Sequence, residues 1–211
     1  MNTKQANLVI LLMIAAGLIY GGILYSKLPP IIATHFDGNM HANGWGPKWT
    51  TIILFPIAMI VFLVLLNVMP RMNLQGPSVL ESLPAVNTIV VGSAFFMLFM
   101  NILIMEMPLQ PGMPFNKLMM TGLLVLFLFI GSLYGKLRRN AWCGIRTKQT
   151  LESDAVWDAT HRLAARLTIA GSLIGIAAIW LGAPVWTAIV IVLAVSLIPV
   201  VYSYTISKDL K

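Results

Sequence analysis

Six stretches of predominantly apolar residues, each about 20 residues long, divide this chain and constrain its fold more than any other feature. They cover approximately residues 7–26, 50–69, 85–105, 115–135, 163–181 and 184–206. A helix needs about 20 apolar residues to cross the roughly 30 Å hydrocarbon core of a bilayer. We therefore predict six membrane-spanning helices. The last two are kept separate because their combined apolar length is too great for a single span.

The composition supports this prediction, because 58% of the residues are hydrophobic and only 10% are charged. A soluble domain carries about 25% charged residues, and this chain has too few to coat a water-soluble surface. The predicted fold class is therefore an all-α integral membrane protein, a bundle of about six transmembrane helices. The formal net charge of +7 is explained by basic loops retained in the cytoplasm, and we expect no direct nucleic-acid partner.

The basic residues are divided unequally between the two ends of the predicted helices. One side holds three of the 14 lysines and arginines, namely Lys27, Lys48 and Lys117. Loops rich in lysine and arginine stay in the cytoplasm, so we predict an N-in/C-in arrangement with both termini inside the cell. The cytoplasmic side then holds the remaining basic residues: Lys4, Arg71, Lys136, Arg138, Arg139, Arg146, Lys148, Arg162, Arg166, Lys208 and Lys211.

The outer loop, from about Lys27 to Trp49, combines prolines, glycines, histidines and large apolar residues. Proline and glycine fix turns. We expect the apolar members to be buried, so that the loop folds back onto the outer surface; these are Leu28, Ile31, Ile32, Phe36 and Trp45.

Two interpretations of the histidines in this loop stand side by side. His35, Asp37 and His41 are residue types that bind zinc, which would make the protein a membrane metalloenzyme. The spacing supplies no helical i, i+4 histidine pair and no obvious fourth ligand. We favour a hydrogen bond within the loop for His35 and a solvated His41, and therefore expect no metal site and no cofactor.

The inner loop, from about Lys136 to Arg162, contains the densest cluster of charges in the chain. Its basic residues are suited to anionic lipid headgroups. Ser153 is positioned to cap a helix that begins near Asp154. We predict an interfacial helix that runs into the fifth span, with Trp157 and His161 on one face.

Several enzyme classes have no support in the sequence. The glycine-rich loop of ATPases and the zinc-protease and serine-hydrolase motifs do not occur, so we expect no enzymatic activity and no catalytic residues. Ion-coupled transporters place ionisable groups near the middle of the membrane, where this chain has almost none. A small-molecule, lipid or peptide transporter or flippase without ion coupling remains an alternative.

Two motifs give the chain a resemblance to the SdpI family of bacterial membrane immunity proteins. The outer loop resembles the family's amino-terminal domain at Leu28, Pro29, Ile32, His35, Phe36, Gly44, Gly46 and Lys48, and departs from it at Ala33, Asp37, Met40 and Asn43. The inner loop resembles the family signature at Arg139, Asn140, Gly144, Ile145, Arg146, Thr147, Thr150, Leu151, Ser153, Trp157, Thr160, His161 and Arg162.

The resemblance implies two units: residues 1–70, an amino-terminal two-span unit with the outer loop, and residues 71–211, a four-span unit with the inner loop. It also implies a location in the bacterial cytoplasmic membrane and resistance to a secreted peptide toxin, with signalling by sequestration of a cytoplasmic autorepressor. The implied partners are the extracellular toxin, the repressor and membrane lipids.

The resemblance further implies roles for individual side chains. His35 and Phe36 would shape the toxin-side loop. Trp157 and His161 would orient the inner loop at the membrane interface. The guanidinium groups expected to contact a partner or lipid phosphate, as bidentate donors, are those of Arg139, Arg146 and Arg162.

Overall fold

A computed structural model describes residues 1–72 and 79–209 of the chain. The loop between 70 and 84 is therefore described only at its ends, and Lys211 lies outside the described residues. In chain order the elements are α1 (Thr3–Leu24), β1 (Ile31–Phe36), β2 (Ala42–Pro47), α2 (Lys48–Val68), α3 (Leu83–Glu106), α4 (Phe115–Gly131), α5 (Lys148–Glu152), α6 (Asp154–Trp180) and α7 (Thr187–Ile206). Short 3-10 turns extend α2 and α4 and precede α3.

Six of these helices are long and apolar enough to cross a membrane, which confirms the predicted fold class. The predicted bounds of the spans are correct to within a few residues, with one exception. The apolar stretch predicted from residue 163 belongs to a helix that already begins at Asp154, as the Ser153 cap predicted, so the interfacial segment and the span form one continuous helix. Its first turns tolerate Arg162 because that side chain lies exposed on the outside of the helix, where a long basic side chain can reach the headgroups.

Ser153 caps this helix as predicted, because its side chain accepts a hydrogen bond from the Val156 amide. The structure adds two elements that the sequence prediction did not contain. The short helix α5 lies within the inner loop, and the outer loop forms an antiparallel hairpin of β1 and β2.

The membrane-spanning helices form two groups of three. Helices α1, α2 and α3 pack against one another, whereas α6 packs against both α4 and α7. The groups meet along α3 and α4. Small residues allow the close approach within each group: a Cβ atom at Gly21 would lie 2.8 Å from Ile52, and one at Gly171 would lie 2.7 Å from Val195.

Polar contacts identify which segments share an end of the bundle. Ser82, at the start of α3, exchanges hydrogen bonds with the backbone of Arg138 at 2.8 and 3.1 Å. Thr147 contacts Ser203 near the end of α7, with their hydroxyl oxygens 2.9 Å apart. The inner loop therefore lies at the same end as the amino terminus of α3 and the carboxyl terminus of α7. The outer hairpin lies at the opposite end.

Candidate functional site

Asn140 organises the first turn of the inner loop. Its side chain is fully buried, and its carboxamide oxygen accepts hydrogen bonds from the amides of Trp142 and Cys143, each at 2.8 Å. Its amide group donates to the carbonyls of Arg138 and Cys143 at 2.8 and 3.1 Å. One side chain thus satisfies four backbone groups that no helix or strand could satisfy.

Gly144 and His161 form the next contact. Gly144 has a φ of +113°, and a Cβ atom there would lie 2.5 Å from Nε2 of His161. That nitrogen accepts a hydrogen bond of 3.0 Å from the amide of Ile145, while Nδ1 donates to the carbonyl of Trp157 at 2.9 Å. His161 is therefore a neutral imidazole with its proton on Nδ1, and glycine is the residue that lets the loop reach it.

Two aromatic side chains hold the imidazole in place. The ring of Trp157 stacks on it with centroids 4.1 Å apart and planes inclined by 20°, and Tyr134 meets it edge-on at 5.8 Å. Trp157 is fully buried and donates from Nε1 to the carbonyl of Leu137 at 2.8 Å. Trp157 and His161 are both buried, so they hold the loop from within the protein and not from the bilayer surface.

The second half of the inner loop is held by threonines. Thr147 caps helix α5, and its partner in the capping box is Thr150. The buried Thr150 hydroxyl also donates to the carbonyl of Ile145 at 2.7 Å. Leu151 packs beside Trp157 in a cluster that includes Met69 and Leu137. The loop is thus a folded unit held by internal hydrogen bonds and apolar contacts.

The arginines of the loop differ in how much of each guanidinium is occupied. Arg139 donates from Nε to the carboxylate of Asp154 at 2.6 Å and from a terminal nitrogen to the carbonyl of Leu151 at 2.7 Å. Arg146 donates to the carbonyl of Ala141 at 2.7 Å. Arg162 is exposed on α6. Arg162 and the outer part of Arg146 therefore present positive charge at the surface.

Cys143 is the single cysteine of the chain and lies partly buried in this loop. Burial raises the pKa of its thiol above the ordinary value of 9.0, and the charge of Arg146 opposes that rise. Since the thiolate is the reactive form, the folded loop protects this thiol from electrophiles.

At the opposite end, the outer hairpin pairs Ile32 with Gly46 and Phe36 with Ala42. Glycine is required at position 44, where a Cβ atom would lie 2.7 Å from Cβ of His35. The close approach of β2 to His35 in β1 explains why a glycine-rich segment with few strand-forming residues pairs as a strand.

Lys48 fixes the base of the hairpin. Its ammonium group donates to the carbonyls of Tyr25 and Leu28 at 2.6 and 3.1 Å and lies 4.3 Å from the centre of the Tyr25 ring. Leu28 is buried between α1, α2 and α3, and Pro29 begins the turn into β1. The lysine thereby satisfies the Tyr25 carbonyl, which the end of α1 leaves without a helical partner, and the carbonyl of Leu28 just beyond it.

The prediction that the apolar residues of the outer loop are buried is correct for some and wrong for others. Leu28 and Ile32 are buried, and the ring of Phe36 packs on Phe115 with centroids 4.8 Å apart. Ile31 and Trp45 are about 60% exposed, because strand alternation directs them away from the bundle. They form an apolar outer rim with Trp49, which is 52% exposed.

The histidines of the hairpin point in different directions. His35 Nδ1 donates to Oδ1 of Asn43 at 2.5 Å, as expected of a hydrogen bond within the loop. His41 is exposed and its Nδ1 lies 3.8 Å from a carboxylate oxygen of Asp37. The backbone amides of His41 and Asn39 donate to Asp37, and the His41 amide is the main reason that the pKa of this carboxyl is lowered.

Within residues 1–72 and 79–209, no three His, Cys, Asp or Glu side chains are grouped so that they could hold a metal ion. The arrangement of His35, Asp37 and His41 therefore does not support the metalloenzyme alternative. At the tip of the hairpin, Met40 has a φ of +62°, a backbone conformation that favours glycine and so accounts for the glycine that the resemblance leads us to expect there.

The fold and the two loops together define a polytopic α-helical membrane protein with a compact hairpin at one end and a basic, hydrogen-bonded loop at the other. Residues 136–203 match the model of the SdpI/YfhL protein family, and residues 12–60 match the model of a domain of unknown function, DUF1648. The carboxyl-terminal part of the chain is therefore similar to the SdpI family, and the chain is a multi-pass bacterial membrane protein.

The chain is 26% identical over 210 residues to the Immunity protein SdpI of Bacillus subtilis (strain 168), with 98% of each chain covered. No solved structure matches the chain. The SdpI family is not a family of enzymes. The two matched regions include the outer hairpin and the inner loop, the two parts whose geometry is described above.

Proposed function

We propose that this protein protects a bacterial cell from a secreted peptide toxin. The observation that carries the proposal is the similarity to the Immunity protein SdpI, which extends over nearly the full length of both chains. The shape of the outer end supports it. Ile31, Trp45 and Trp49 present an exposed apolar rim on a hairpin that Lys48 and Phe36 anchor, and such a rim suits an apolar peptide.

The proposal is tested by challenging sensitive cells that express the protein with peptides related to those secreted by sporulating bacteria. The wild type should restore growth. His35→Ala and Arg146→Ala should each weaken protection, because the first removes the bond to Asn43 and the second the bond to Ala141. If the wild type protects against none of these peptides, the immunity function is wrong for this chain.

A matched pair of tryptophans tests the role of the rim. Trp45 and Trp186 both lie at the outer end of the bundle, and they are 62% and 47% exposed. Trp45→Ala should reduce protection at an unchanged protein level in the membrane, whereas Trp186→Ala should not. Equal effects of the two substitutions would remove the hairpin from the toxin contact.

We further propose that the inner loop contacts a cytoplasmic autorepressor and holds it at the membrane when toxin is present. Its exposed cations, Arg138, Lys148 and Arg162, provide a surface for an acidic partner. The test is whether a small DNA-binding repressor is encoded beside this protein and whether its fluorescent fusion moves to the membrane on toxin addition. Retention in the cytoplasm would contradict this part of the proposal.

A transporter or flippase would behave differently in the same cells. Substrate accumulation by proteoliposomes that contain the purified protein would favour transport. Protection without accumulation would favour the immunity function.

A further inference from the structure

A groove of about 500 Å³ runs along the seam where the two helix groups meet. It lies between α3 and α4 and opens toward the surrounding bilayer; Phe95 on its wall is 63% exposed. Beside the groove, a ring of each helix packs against a glycine of the other, because Phe129 occupies the space beside Gly92 and Phe99 occupies the space beside Gly122.

The groove is lined almost entirely by apolar side chains, which favour hydrocarbon over water as its occupant. Its hydroxyl groups belong to Thr88 and Thr121. Thr88 donates to the carbonyl of Pro84 at 2.7 Å, and Thr121 accepts from the indole of Trp180 at 3.0 Å. A buried water needs two to four polar partners, and two hydroxyls that each already make one hydrogen bond offer few. At membrane depth an acyl chain is therefore the natural occupant.

The dimensions of the groove agree with this occupant. Its α3 wall extends from Thr88 to Phe99, which at 1.5 Å per residue is about 16 Å. The hydrocarbon of one leaflet is about half of the roughly 30 Å core. The groove therefore holds the chain of a lipid from a single leaflet.

At the end nearest the inner loop, Thr88 also lines a second cavity of about 210 Å³. The residues that line this mouth include a carboxylate, Glu81, an ammonium group, Lys136, and the amino-terminal residue Met1. An acidic headgroup without an amine would meet repulsion from Glu81. A zwitterionic headgroup with a phosphate and a primary amine complements both charges.

We propose that the groove and its mouth form a binding site for one amine-bearing zwitterionic phospholipid of the phosphatidylethanolamine class. The acyl chain lies between α3 and α4, the phosphate contacts Lys136, and the ammonium group contacts Glu81. The bound lipid fills the seam between the two helix groups. This site is independent of the proposed immunity function, since it is assayed on purified protein without toxin.

The test is native mass spectrometry of protein extracted from vesicles that contain equal amounts of phosphatidylethanolamine and phosphatidylglycerol. The wild type should retain one lipid, predominantly phosphatidylethanolamine. Val125→Trp, on the groove wall, should abolish retention. Val190→Trp on α7 is the matched control, since the two valines are 49% and 52% exposed, and it should retain the lipid.

The headgroup contacts are tested separately. Glu81→Gln should lower the preference for phosphatidylethanolamine by about fivefold, as expected for one interfacial charge, and Lys136→Gln should lower total retention by about the same factor. Lys208→Gln, an exposed lysine at the same end, should change neither. A wild-type preference for phosphatidylglycerol, or unchanged retention in Val125→Trp, would overturn the proposal.

Discussion

Replacement of Gly144 by alanine should open the inner loop, because two penalties apply at this position. Alanine at a φ of +113° costs about 1–2 kcal/mol, as for other residues forced into left-handed backbone. The added Cβ would lie 2.5 Å from Nε2 of His161. It should break the bond to the Ile145 amide, and a buried group left without its partner costs about 1–3 kcal/mol.

Together the two penalties amount to about 2–5 kcal/mol of loop stability. The assay is the rate at which a maleimide labels Cys143 in purified protein, since this thiol is partly buried in the same loop. If labelling requires local opening, even 2 kcal/mol should raise the rate about 30-fold, given a factor of ten for every 1.4 kcal/mol.

Gly135→Ala is the control for this experiment. Position 135 lies just before the same loop, has no positive φ, and offers open space to a Cβ atom. It should label at the wild-type rate. The reasoning is refuted if Gly144→Ala labels no faster than Gly135→Ala, because the contact with His161 would then not hold the loop closed.

Three further predictions concern the same two loops. Because burial raises the pKa of Cys143, its thiolate forms at a higher pH in the native protein than in the unfolded chain. When the rate of maleimide labelling is measured against pH, the midpoint should therefore fall on denaturation. Equal midpoints for the native and denatured protein would contradict this. Trp157→Phe should lower the melting temperature in detergent, since the Leu137 carbonyl loses its partner at a cost of about 1–3 kcal/mol, while the exposed Trp186→Phe should leave it unchanged. Gly44→Ala should separate the strands of the outer hairpin at a cost of about 1–3 kcal/mol, and proteolysis of the hairpin should become faster. Gly38→Ala is the control, because a Cβ atom there meets open space, and it should not change the rate. Equal proteolysis of the two variants would show that the strands tolerate a side chain at position 44.

The helices were predictable from the sequence because the side chains that face lipid must be apolar over the whole length of a span. Long apolar runs gave five spans with nearly correct bounds. The apolar pattern of the fifth span starts only near residue 163, because Asp158 and Arg162 interrupt it, whereas the Ser153 cap correctly indicated that the helix begins near Asp154. Hydropathy describes the part of a helix that meets hydrocarbon, and it does not show where the helix begins in water.

The loops were only partly predictable, since their structure depends on contacts between distant residues. The signature residues were recognised, but Gly144 and His161 are 17 positions apart and their contact follows from the path of the loop back to α6. The pairing of β1 with β2 depends on glycines whose missing side chains leave no positive signal in a sequence. The anchoring of the hairpin by Lys48 follows from the packing of α1 against α2.

The central claim is a six-span arrangement that places the outer hairpin outside the cell and the inner loop in the cytoplasm. The most direct test is cysteine labelling of intact cells with a membrane-impermeant maleimide, in a Cys143→Ala background. Asn39→Cys, at the exposed tip of the hairpin, and Lys148→Cys, on the exposed surface of the inner loop, report on opposite ends. We predict that Asn39→Cys is labelled in intact cells and Lys148→Cys only after permeabilisation; labelling of Lys148→Cys in intact cells would contradict the account.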